Sequence, residues 1–124
     1  MIPVNRKMTL SEEGKIIVDD LTEKLSLDRP LVIQIALAKG IQLANGLPEE
    51  NIDKGVNKWT IPDNIIKENY FILFKYLIQN EVQKPINSDE LHELMINYIE
   101  FGLRELAKIN KEKTSMEDIR LAII

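Results

Sequence analysis

The stretch that most constrains this chain of 124 residues is SLDRPLVIQIALAKGIQLANG, residues 26–46. Asp28 is a ready N-cap, and Pro30 falls in the first turn, where its missing N–H removes no helical hydrogen bond. Asn45-Gly46 ends the helix as left-handed C-cap residues do. Between these signals Leu31, Val32, Ile33, Ile35, Ala36, Leu37, Ala38, Ile41 and Leu43 cover nearly the full circumference. A helix apolar on all sides is buried on all sides. In so small a chain this predicts the core of an oligomer. Gln34, Lys39 and Gln42 interrupt the run, which falls short of the ~20 apolar residues a membrane helix needs.

The other helices announce themselves by their ends. Ser11 reads as an N-cap with Glu12 and Glu13 in the first turn, favourable to the helix dipole, and Ile17, Leu21 and Leu25 continue at a spacing of four. A helix over roughly 12–26 is expected, with Gly14 a point of close backbone approach. Residues 46–63 form a long connection with the only Trp, and connections of this length tend to be functional or mobile. IIKENYFILFKYLIQNEV is a strongly apolar third helix, with Ile66, Tyr70, Leu73 and Leu77 as one row and Phe74 and Ile78 beside it. Asn87 and Glu90 form a capping-box pattern for a fourth helix whose core stripe is Leu91, Leu94, Met95, Tyr98, Phe101 and Leu106. Ser115 and Asp118 open a short last helix. The fold class is mainly α, with at most one short strand, in a single domain: residues 1–46, a loop 47–63, and a helical part 64–124.

The strand is VNRKMTL, just before the first helix. Alternation places Arg6, Met8 and Leu10 on one face and Asn5, Lys7 and Thr9 on the other. Strand, capped helix, polar turn and second helix together look like a ribbon-helix-helix unit, in which two chains pair their strands. In that family the ribbon enters the DNA major groove and the second helix presents its N-terminus to a phosphate. Asn5, Lys7 and Thr9 are then the natural readers; the plainer reading is a structural lead into the helix. A second basic group lies on the fourth helix. Arg104, Lys108 and Lys111 share one face and suit sequence-independent phosphate contact, unless Glu100 pairs with Arg104 at i+4 and leaves an ordinary solvated face.

Composition removes other functions. The formal net charge of -4 argues against a chain that coats nucleic acid along its whole surface. Residues 1–46 balance six Lys/Arg against six Asp/Glu, and residues 47–124 hold the deficit, ten against fourteen. Cysteine is absent, which excludes disulfides, thiolate metal sites and a cysteine nucleophile. The single histidine, His92, shares a helix face with Asp89, but two ligands do not make a metal site. Asp19 and Asp20 point about 100° apart and do not converge as a carboxylate pair. No phosphate-cradling loop, nucleophile elbow or zinc signature is present. The expectation is a non-catalytic, cofactor-free protein. With no signal-peptide pattern and no membrane-length apolar run, the expected location is cytoplasmic.

Two segments carry a family resemblance: the lead IPVNRKMTLSEEG with its following SLDRPLVIQIALAKG, and DELHELMINYIEFGLRELAKIN with its core YIEFGLREL. Together they resemble the DndE family, small subunits of bacterial DNA sulfur-modification (phosphorothioation) systems of the restriction-modification type. Phe101 stands where that family pattern has a basic residue before Gly102. The resemblance implies a tetramer-forming DNA-binding subunit that acts with a sulfur-mobilising partner and an ATPase partner and prefers nicked duplex. The expected DNA contacts are Arg6, Lys7, Lys15, Arg29, Arg104, Lys108 and Lys111. A sulfur carrier would use cysteine, so a chain without it would position DNA or hold partners together. Two other readings stand beside this one: a ribbon-helix-helix transcriptional regulator reading an operator, and a protein–protein adaptor that binds no DNA.

Overall fold

The computed structural model describes residues 8–44, 46, 59–61 and 66–112. In chain order these form β1 (Thr9–Leu10), α1 (Glu12–Leu25), α2 (Arg29–Leu43), β2 (Trp59–Thr60), α3 (Glu68–Val82) and α4 (Ser88–Glu112). The helix starts fall where local chemistry puts them. Ser11 Oγ accepts from Gly14 N, Asp28 Oδ1 accepts from Leu31 N, and Asn87 Oδ1 accepts from Glu90 N at 2.8 Å. Each bond satisfies one N–H that the first helical turn leaves without an intrahelical partner. Ser26 and Gln83 end α1 and α3 in the left-handed conformation. Asn45 and the expected last helix at Ser115 lie outside the described residues.

The core is built on the crossing of α2 and α4. α4 is 25 residues long, about 37 Å at 1.5 Å per residue. The two helices meet backbone to backbone. A Cβ on Gly40 would overlap the carbonyl oxygen of Tyr98, and one on Gly102 would overlap that of Ala36. One glycine from each helix therefore lets the other's main chain approach. Around this crossing Val32, Ile33, Ala36, Leu37 and Ile41 of α2 pack with Met95, Ile99, Leu103 and Leu106 of α4, and α1 adds Val18, Leu21 and Leu25. Burial of each such side chain is worth about 1.5–3 kcal/mol.

Four sequence readings gain detail or change here. First, within one chain α2 leaves Leu31 and Leu43, near its two ends, exposed. Second, the row Tyr70, Leu73, Leu77 of α3 is its exposed side, and Phe74 and Ile78 face the core. Third, the close neighbour of Gly14 is the Glu100 carboxylate rather than a backbone, with a Cβ there 2.6 Å from Oε1. Fourth, the connection 46–63 contains a strand. β2 pairs antiparallel with β1, Thr9 opposite Thr60 and Leu10 opposite Trp59, and Ile61 N donates to Met8 O at 2.7 Å. The described end of the N-terminal strand thus finds its partner within the same chain. The alternation itself holds, since Leu10 is fully buried and Met8 packs against the core.

Candidate nucleic-acid interface

α1 separates two charged clusters. At 100° per residue, Lys15 and Asp19 fall on one edge of this helix and Glu13 and Asp20 on the other. The hydrogen-bond partners agree with that division: Asp19 bonds Arg29 of α2, whereas Glu13 and Asp20 bond Arg104 and Asn110 of α4. Asp19 and Asp20, neighbours in sequence, accordingly serve different helices, as their angular separation implies.

On the α2 edge, Asp19 holds two cations. Arg29 reaches it through Nη2 at 2.9 Å and Nε at 3.0 Å, and Lys15 through Nζ at 3.3 Å. Arg29 follows the Asp28 cap as the first residue of α2, which projects it beside β2. Its guanidinium carbon lies 5.7 Å from the centroid of the Trp59 ring, within cation–π range. Two cations thus share one carboxylate, while Glu12 and Glu23 of α1 lie within about 40° of Asp19 on the same helix edge. The side chains of Lys15 and Arg29 are 40% and 50% exposed, so a phosphate oxygen reaches them without rearrangement of the fold.

On the α4 edge the arithmetic reverses. Arg104 Nη1 donates to Glu100 Oε1 at 3.0 Å and Nη2 to Glu13 Oε2 at 3.2 Å. One cation sits between two carboxylates, and Glu100 is fully buried. Glu100 is satisfied from three sides: besides Arg104 it accepts from Ser11 N at 2.8 Å and from Ser11 Oγ at 2.9 Å. It therefore fixes the end of β1, the N-cap of α1 and the middle of α4 together. An i+4 carboxylate beside Arg104 was legible in the sequence; that it is buried and also grips Ser11 was not, because Ser11 lies 89 residues away.

The structure places the expected contacts as follows. Lys15 and Arg29 come together on one carboxylate, beside Trp59, a residue that sequence reasoning passed over as part of a connection. Arg104 is committed to Glu100 and Glu13. Lys108 is exposed, 3.5 Å from Glu105, and Lys111 is exposed near the end of α4. Lys108 and Lys111 share a face of α4, on the far side of α1 from Lys15 and Arg29. Phe101 is half-buried. Arg6, Lys7 and Asn5 lie outside the described residues; Thr9 is half-buried in the β1–β2 pair.

Tyr98 is a further buried side chain of α4 that carries a polar group. Its hydroxyl donates to the carbonyl of Gly46. Burial first, and the nearby Glu81 carboxylate second, push its pKa up to about 12. His92 is half-buried, and among the described residues no three His, Asp or Glu side chains are grouped to hold a metal ion. Nor is any described helix long and apolar enough to cross a membrane.

Among the described residues, the fold is four helices with a two-stranded ribbon, and one edge of α1 carries the exposed Lys15–Asp19–Arg29 cluster backed by Trp59. No protein-family model, curated protein or solved structure matches the chain.

Proposed function

We propose that this chain is a non-catalytic, DNA-binding accessory subunit of a DNA phosphorothioation complex. In this role it assembles with copies of itself and holds duplex or nicked DNA for sulfur-mobilising and ATPase partner subunits. The system-level part of this reading rests on the resemblance carried by IPVNRKMTLSEEG and YIEFGLREL. The single observation that supports DNA contact is the Lys15–Asp19–Arg29 cluster against Trp59. An exposed ion pair contributes about 0–1 kcal/mol, so a phosphate displaces Asp19 from Arg29 at little cost. The bidentate guanidinium suits phosphate geometry, and the Trp59 ring restricts where the cation points. Arg6 and Lys7, just before β1 in sequence, remain expected contacts. Contacts of this kind give affinity without sequence preference.

The ribbon-helix-helix regulator needs β1 to pair with a second chain's strand, and the described residues of β1 pair with β2 instead. The adaptor is the second reading, favoured by the uncharged exposed side of α3.

The test is fluorescence-anisotropy titration of intact, nicked and unrelated duplexes over a salt series. The expected result is sequence-independent binding, strongest at a nick. Arg29→Ala is expected to lower affinity and reduce the salt slope by about 0.9, the loss of one phosphate contact. Arg104→Ala should leave that slope unchanged. Absence of binding to every duplex at low salt would overturn the DNA reading and leave the adaptor.

A further inference from the structure

α3 turns an uncharged half to solvent. Tyr76 is 63% exposed, Leu73 51%, Ile72 47%, Tyr70 45% and Leu77 40%. Asn69 and Asn80 are exposed on the same side. At 100° per residue, none of the helix's charged residues, Glu68, Lys75 and Glu81, falls on this half. Five large side chains so exposed present about 500 Å² of largely apolar surface, at the upper range of what a monomer ordinarily leaves open.

The order of residues along this face selects its occupant. Asn69, Leu73, Tyr76 and Asn80 are spaced four, three and four, the spacing of a coiled-coil seam. They are also arranged about a midpoint between Phe74 and Lys75, with an Asn at each end and a large side chain on either side of the centre. A second copy of the helix, turned end for end, therefore sets Asn69 against Asn80 and Leu73 against Tyr76. Paired amides at both ends satisfy each other and fix the register, as polar residues within an apolar seam do. The antiparallel arrangement also opposes the two helix dipoles. Each end carries one cation and one anion, Lys67 with Glu68 and Glu81 with Lys84, so neither end repels the other by net charge. A pair of such faces buries about 1,000 Å², the lower bound for a specific interface.

We propose that α3 is a two-fold interface between copies of this chain, packed antiparallel through Asn69, Leu73, Tyr76 and Asn80. This names a surface for the self-assembly part of the reading above and is independent of whether DNA is bound. A tetramer would need a second, different interface as well.

Because the chain contains no cysteine, introduced thiols report on this contact alone. Asn69→Cys and Asn80→Cys full-length proteins are prepared separately, then oxidised alone and as an equal mixture, without DNA. The mixture is expected to give disulfide-linked dimers, and each variant alone far fewer. Linkage of Asn69→Cys to itself would overturn the antiparallel register. No linkage in any arm overturns the interface, and the face is then open to a different protein. Leu73→Glu is expected to halve the mass found by sedimentation equilibrium, with an unchanged far-ultraviolet circular dichroism spectrum. Adding Tyr76→Lys to that variant should restore the dimer through a Glu–Lys pair across the axis. A Leu73→Glu protein that keeps the native mass also overturns the proposal.

Discussion

The two edges of α1 use the same chemistry to opposite ends. On each, a carboxylate holds an arginine, yet Glu100 is fully buried and Asp19 is 38% exposed in its side chain. Burial makes the first a structural element. A carboxylate removed from water must be satisfied on every side, and Glu100 is, by Ser11 N, Ser11 Oγ and Arg104. Exposure makes the second exchangeable. Water and salt screen the Asp19 pairs, so the cations there remain open to another anion. A basic residue's sequence position therefore says less about nucleic-acid contact than the depth of the carboxylate beside it.

Breaking the buried edge should have the largest effect. Glu100→Ala leaves Ser11 and Arg104 without their acceptor and is expected to cost about 3–5 kcal/mol, read as a drop in the urea midpoint. A loss below about 1 kcal/mol would put Glu100 in the same category as Asp19 and erase the contrast.

Tyr98 extends the comparison to a group that is neutral at ordinary pH. Its folded pKa is raised to about 12 from 10.0, mainly by burial, so the folded state favours the protonated phenol. The stability it contributes is fully present below the unfolded value, and declines as pH rises from 10.0 towards about 12. Across that interval the unfolded chain has lost a proton that the folded chain keeps. Denaturant midpoints measured over this range should fall for the native protein, and fall less for Tyr98→Phe. Equal slopes for the two proteins would remove Tyr98 as the cause.

The smallest effect on stability belongs to the exposed edge. Asp19→Asn is expected to change stability by at most about 1 kcal/mol, because surface ion pairs contribute little. It should nevertheless strengthen DNA binding in the anisotropy assay, since Lys15 and Arg29 lose their competing anion. Weaker binding would mean that Asp19 positions Arg29 for the contact.

Local signals made much of the framework readable in advance. Ser11, Asp28 and Asn87 cap helices through bonds that span three residues, and such bonds depend on nothing beyond the segment itself. Leu21, Leu25, Leu91, Met95 and Leu106 are buried where periodicity places them. Periodicity left the inward side open where a helix is apolar on more than one side. On α3 both rows are hydrophobic, and only packing decided that Phe74 and Ile78 face inward while Tyr70, Leu73 and Leu77 face out. Trp59–Thr60 escaped notice because a two-residue strand has no period to detect; its existence depends on β1, some fifty residues earlier.

The candidate site divides in the same way. By itself the sequence determined the helix ends, the absence of thiol chemistry, the divergence of Asp19 from Asp20, and the candidates for positive charge. Tertiary structure alone decided which of those charges stay available. Arg104 and Arg29 are alike in sequence terms, each with a carboxylate within reach. One faces a carboxylate sealed beneath the N-cap of α1, and the other lies against Trp59 at the surface. The physical reason is that solvent exposure is a property of the assembled helices, and it is exposure that sets whether an ion pair is held or exchanged.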